Sequence, residues 1–274
     1  MGSAFPIKVI DRVNDTFSKN ANTGLRIECG FKGRSNISGF KMITDQMISH
    51  FPEVVRKWLK SSNIIGKEFI RSVYLKQVGR MRTSRSGKWL RIKAEQFNTV
   101  DPPGFLWLAD VRVAPFIHLS GRDSYQNGKG QMLIKFLSVI PVINARGPEI
   151  DQGALLRYLA EIVWFPTAAL ASYITWKEVD SSTAEATISY GEVTASAQFK
   201  FTQEGDFESL DARRYYDRRT GATLEHWHIQ SDGSGYKTFE GFRIPAKSEV
   251  TWKLKEGDFT WFQVEITQVE YAQK

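Results

Sequence analysis

The sequence predicts a mainly β protein, a large curled antiparallel sheet (a half-barrel of about 11 strands) wrapped around a central helix, with further helices toward the N-terminus. Three observations predict it. From Gly66 onward, apolar and polar residues alternate with a period of two through short runs separated by glycine turns. Residues 147–170, GPEIDQGALLRYLAEIVWFPTAAL, break that rhythm and are apolar nearly all round, so they belong inside a fold. No helix alternates with the strands, which disfavours parallel α/β architectures.

Residues 1–43 read as an N-terminal extension and residues 44–274 as one half-barrel domain with a helix inserted at about 152–171. Within the extension, 5–19 fit a short amphipathic helix through Ile7, Ile10, Val13 and Phe17, and the next twenty residues are loop-like. Thr44 can cap a helix whose stripe is Met47, Ile48, Phe51, Val54, Val55, Trp58 and Leu59, with Pro52 either starting a second helix or bending the first. A strand follows at 69–76, a turn at 84–87 and a return strand at 89–97. Pro102-Pro103-Gly104 breaks the sheet before 105–113, Pro115 separates that run from 116–120, and Asn127-Gly128 is a hairpin turn before the apolar run 132–142. Beyond the helix, strands are expected at 174–179, 184–190, 192–202, 207–216, 224–230, 236–243, 249–255 and 260–271, spaced as a meander.

The helix carries the candidate site. Asp151 is the expected N-cap, and Glu149 adds favourable negative charge near the N-terminus. Leu155, Leu159, Ile162, Val163, Pro166 and Leu170 share one face; Gly153, Arg157, Glu161, Trp164 and Ala168 form a second. Arg157 and Glu161, one turn apart, predict a buried ion pair with Glu149 or Asp151 as further partners. Arg122-Asp123 on a neighbouring strand supplies a second charged pair facing the helix, and Tyr125 shares the face of Asp123.

Two functional readings follow. In the first, sheet and helix enclose a pocket for a hydrophobic or amphiphilic small molecule or lipid, near a membrane surface. Arg157 meets an anionic head group, and Trp107, Trp164, Phe165, Trp227 and Trp252 are wall residues, although core packing explains the same aromatics. The ligand-binding set is Arg122, Asp123, Glu149, Asp151, Arg157, Tyr158, Glu161, Trp164, Trp107 and Trp227. In the second, an enzyme uses Glu161 or Asp123 as acid or base, while Arg157 and Arg122 hold an anionic substrate. A third, structural reading leaves Arg157 and Glu161 only to hold the helix in place.

Other chemistries are poorly supported. A phosphate loop, a GxSxG elbow, HExxH and paired CxxC are all missing from the sequence, and the single cysteine, Cys29, allows no intrachain disulfide. No cofactor is expected. His226 and His228, two apart on a strand, are a candidate metal pair, but the only nearby third ligand is Glu225, which points the other way; the expected metal ligand set is therefore none. The first 100 residues hold 19 Lys/Arg against 7 Asp/Glu, and the remainder 18 against 23, a polarity that can orient a protein on an anionic surface. The basic hairpin Lys76, Arg80, Arg82, Arg85, Lys88, Arg91, Lys93 carries Tyr74, Trp89 and Phe97, which alternation turns into the sheet, so nucleic acid is disfavoured. The low cysteine content fits a cytoplasmic setting, or the membrane periphery or periplasm if a leader was removed.

GPEIDQGALLRYLAEIVWFPTA, with PPGFLWLADV, GRDSYQNGKGQM and GFRIPAKSEVTWKL, resembles a bacterial family of conserved proteins without established function, over about residues 44–271. That resemblance implies no reaction. More distantly, the order of elements is similar to lipoprotein carriers of the LolA/LolB kind, which implies a curved sheet and helices around an apolar cavity for acyl chains.

Overall fold

The computed structural model describes residues 42–115, 117–137, 140–218 and 221–273. The helix and loop expected before residue 41 lie outside them.

The predicted N-terminal stripe forms two helices, α1 (Asp45–Ile48) and α2 (Glu53–Ser61), with Pro52 at the α2 N-cap. Proline has no N–H to continue a ladder, so the stripe breaks there instead of bending. Val54, Val55, Trp58 and Leu59 of α2 enter the core.

The chain then forms β1 (Ile70–Met81), β2 (Leu90–Thr99), β3 (Gly104–Ala114), β4 (Ile117–Gln126), β5 (Lys129–Phe136) and β6 (Ile140–Ala145). After α3 (Pro148–Glu161) and two 3-10 segments (Ile162–Trp164, Pro166–Leu170) come β7 (Ile174–Glu178), β8 (Thr183–Tyr190), β9 (Val193–Phe201), β10 (Phe207–Tyr216) and β11 (Thr223–Ser231). β12 (Tyr236–Phe239), β13 (Phe242–Pro245), β14 (Lys247–Leu254) and β15 (Gly257–Gln273) complete the order. Thirteen of these strands make one antiparallel sheet, β6-β5-β4-β3-β2-β1-β15-β14-β11-β10-β9-β8-β7, while β12 and β13 form a separate hairpin. The half-barrel is therefore larger than about 11 strands. One apolar run of the sheet conceals a turn, since 132–142 is two strands folded at Leu137 (φ 49°), whereas 236–243, folded at Glu240-Gly241 (φ 46° and 83°), belongs to the separate β12–β13 hairpin and adds nothing to the half-barrel.

A thirteen-stranded sheet with two edges must curl, and α3 fixes the curl by packing on β4 and β5 of one wing and on β8, β9 and β10 of the other. Leu155, Leu156, Tyr158 and Leu159 are fully buried by this bridging position. The helix starts at Pro148, whose fixed φ suits the first helical position, after Gly147 at φ 127°, a conformation open to glycine. Asp151 is thus inside the first turn and is not the N-cap. Regular α geometry ends at Glu161 because Pro166 lies ahead, and the remaining expected helix continues as 3-10 turns.

Candidate functional site

Strand register builds the floor of the site, because directly paired residues share a face. One row across the concave face reads Leu75, Gln96, Trp107, Asp123, Met132, Ala145. The next reads Gln77, Ala94, Ala109, Gly121, Ile134, Ile143. Over the first row lies the second helix face, so Arg157 meets five groups at once. It donates to Asp123 Oδ2 (2.6 Å), Glu161 Oε1 (2.7 Å) and Gln96 Oε1 (3.2 Å), and its guanidinium lies 4.7 Å from the Phe105 ring and 5.0 Å from that of Trp107.

Gln96 is the hub. Its amide donates to Glu161 Oε2 (2.5 Å) and Asn98 Oδ1 (2.8 Å), and its carbonyl accepts from Arg157 and from Gln77 Nε2 (3.2 Å). Trp107 Nε1 in turn donates to Gln77 Oε1 at 2.9 Å. Every polar valence of the Gln96 side chain is used, which makes the network stiff. Burial pushes the Glu161 carboxyl up from its ordinary value, against the opposing pull of Arg157 and Gln96. For Arg157 burial works against the charge, but Glu161 and Asp123 more than offset it and hold the guanidinium above its ordinary range.

Arg157, Asp123 and Glu161 sum to one negative charge, and Arg214 on β10 supplies the balancing cation. Its guanidinium lies 4.7 Å over the Trp227 ring beside Gly153, where a Cβ would stand 3.4 Å from Arg214 Nε. Burial pulls Arg214 down to about 10; Asp123 and Glu161 favour its charge and Arg157 opposes it. Among the described residues Arg214 has no direct ion pair, unlike Arg157.

Not every expected residue reaches this site. Asp123 faces the helix with Tyr125, but Arg122 turns to the opposite face, since adjacent strand residues cannot share one. It lines a groove of about 450 Å³ with Lys129, Arg146, Pro148 and Asp151 at the α3 N-terminus, where burial and Arg146 both lower its pKa. Glu149 is exposed. Asp151 is buried and accepts from Gly130 N (2.7 Å) and Lys129 Nζ (3.1 Å), so it clips the helix to β5 and does not partner Arg157. Tyr158 is buried and donates to the Thr99 carbonyl (3.0 Å), and Trp164 Nε1 donates to the Pro245 carbonyl (3.1 Å); both belong to the core. Phe165, Trp227 and Trp252 join the same core cluster. Tyr74 and Phe97, expected to turn into the sheet, instead contact each other at 4.7 Å on the outer face, because Val73 and Leu75 take the inner one.

Sequence reading missed Gln77, Gln96, Asn98 and Arg214. Their strand positions alternate inward with apolar neighbours, and a polar residue in an inward register was the available signal. It also missed Asp211, which pairing places directly across from His228.

A charged network clamped beneath a helix that spans an antiparallel half-barrel defines a fold-and-site class. The chain belongs to the family of unknown function DUF6544, whose model matches residues 41–264. The comparison with curated proteins returns no match. Among solved structures, a Vibrio parahaemolyticus domain described as an outer membrane lipoprotein-sorting protein is similar at 7% identity and TM-score 0.43, covering 73% of this chain and 85% of that one. A DUF1329 family protein from Desulfovibrio piger is similar at 12% identity and TM-score 0.44, covering 80% and 91%.

Proposed function

We propose that the protein binds an anionic amphiphile along the concave face of β2–β6, with the charged group received at Arg214. The observation that carries this reading is an apolar surface on the same wing as the charged network but outside the helix contact. Ile92, Ala94, Ala109 and Val111 form a cluster separate from the main core, flanked by partly buried Met81, Leu90, Leu119 and Phe262. The small side chains at Ala94, Ala109 and Gly121 keep this stretch of the face shallow. Toward the strand ends Ile117, Ile140 and Ile143 are exposed, at 38%, 58% and 43%, which is costly surface unless something apolar rests on it. Arg157 is saturated by its own carboxylates, so the head group is left to Arg214, a desolvated cation stacked on an indole.

Titration with the fluorescent fatty acid cis-parinaric acid and with its methyl ester tests both halves of the reading. The acid should bind more tightly than the ester. Arg214→Met should lower affinity for the acid about tenfold and leave the ester unchanged, in line with loss of one charge-assisted contact. Replacing both Ile117 and Ile143 with Ser should weaken the two probes alike, with an unchanged melting temperature. Binding of neither probe, or binding indifferent to all three substitutions, overturns the proposal.

A further inference from the structure

On the opposite, convex face of the sheet, Asp211 of β10 and His226 and His228 of β11 converge. His226 Nε2 and His228 Nδ1 lie 2.5 Å and 2.8 Å from the same Asp211 oxygen, and one ligand atom from each of the three residues falls within 4.8 Å of the others. We propose that Asp211, His226 and His228 form a binding site for a divalent transition-metal ion of the Zn²⁺ type, with solvent completing the coordination.

The geometry arises from sheet pairing. Two residues apart on one strand, the histidines share a face, and register sets Asp211 directly across from His228 and diagonal to His226. Their rings are nearly perpendicular, at 88° with centroids 6.5 Å apart, so the nitrogens approach one point from two directions. Tetrahedral ligands about 2.0–2.1 Å from an ion stand roughly 3.3 Å from one another, so the two contacts to Asp211 must open by about 0.5 and 0.8 Å to admit an ion. They have room, because His226 is 40% exposed, His228 19% and Asp211 40%.

The surrounding charges permit a cation. Lys253, paired across from His226, is held by Asp258 at 2.8 Å, and Lys200 is held by Glu208 at 2.8 Å. Arg213 donates to the Leu224 carbonyl at 2.6 Å. Thr251, across from His228, is engaged with Thr260 at 2.8 Å. Asp211 is therefore left as the anion that faces the histidines. Two imidazoles and a carboxylate suit Zn²⁺, Ni²⁺ or Cu²⁺, whereas Mg²⁺ and Ca²⁺ prefer all-oxygen shells. Because imidazole ligates in its neutral form, uptake should weaken on acidification.

Equilibrium dialysis of the full chain against Zn²⁺ in excess Mg²⁺ reads the site directly. One Zn²⁺ should bind per chain. His228→Asn and Asp211→Asn should each weaken it by about 100-fold, the upper end of what loss of even an outer-sphere partner costs. Addition of Zn²⁺ to the unaltered protein should shift the ¹⁵N ring resonances of His226 and His228 and leave those of His50 and His118 in place, a readout that needs no variant to fold. Failure to take up Zn²⁺, equal affinity in the variants, or shifts confined to His50 or His118 would overturn the assignment.

Discussion

Replacing Arg157 with Ala should lower the unfolding free energy by about 3–5 kcal/mol, because removing one member of a buried ion cluster strands its partners. Asp123 and Glu161, 12% and 9% exposed at the side chain, would face each other with no cation between them. Gln96 would keep a carbonyl with one donor fewer, and the rings of Phe105 and Trp107 would lose the guanidinium packed on them. Urea unfolding at neutral pH measures the loss. The deficit should shrink as the solution is acidified. Burial already pushes the Glu161 carboxyl up, and loss of Arg157 removes the pull that opposes it, so its cost is present above the raised folded value and relieved as a proton binds on acidification. The double variant Arg157→Met, Glu161→Gln should recover part of the loss, since the remaining pair is then neutral at one end. A loss below about 1 kcal/mol for Arg157→Ala, the range of a solvent-exposed pair, would contradict the clamp.

Gly130→Ala should cost about 1–3 kcal/mol and should act through the helix rather than the strand. A Cβ at this position would stand 2.6 Å from the Ile150 carbonyl oxygen and 3.0 Å from Ala154 Cβ. Both belong to α3, and backbone cannot step aside as a flexible side chain can. Displacing β5 from the helix would also stretch the bond from Gly130 N to Asp151, leaving a buried carboxylate short of a donor. The measurement is again equilibrium unfolding, combined with amide exchange. Protection should fall at 150–158 and in β5 while β14 and β15 keep theirs. Unchanged exchange in α3 would show that the helix and β5 are not in the contact described.

Much of this architecture is legible from residue patterns. The helix signature at 147–170 and the period-two strands are strong signals because burial on one or all sides constrains every position. Turn residues marked most strand ends, yet Leu137 adopts positive φ without the glycine or asparagine that would advertise a fold-back, and at Glu240-Gly241 the glycine was there but the apolar run was read through it. The Arg157–Glu161 pair follows from one helical turn and was readable. Its link to Asp123 needed only strand alternation, but the choice between Arg122 and Asp123 needed the direction of that alternation, which two adjacent charges do not supply. Gln96, Arg214 and Asp211 were missed for a different reason, because a polar residue in a strand says nothing of what it will meet. Gln96 meets Glu161 and Arg157, 65 and 61 positions away, Arg214 meets Trp227 on the next strand, and Asp211 meets its histidines 15 and 17 positions away, so only register and helix packing bring them together.

The sheet's order has a consequence for biosynthesis. β1, made early, is flanked by β2 and by β15, the last of the described strands to leave the ribosome. Until residues 257–273 emerge, β1 has an open backbone edge and the two wings share no ladder, so only the α3 bridge and side-chain contacts such as Ser61 to Gly205 and Tyr173 to Val100 join them. Such late closure between distant segments slows folding and leaves an unpaired edge exposed to other nascent chains. Folding yield in the cell should therefore depend on protection of that edge during translation.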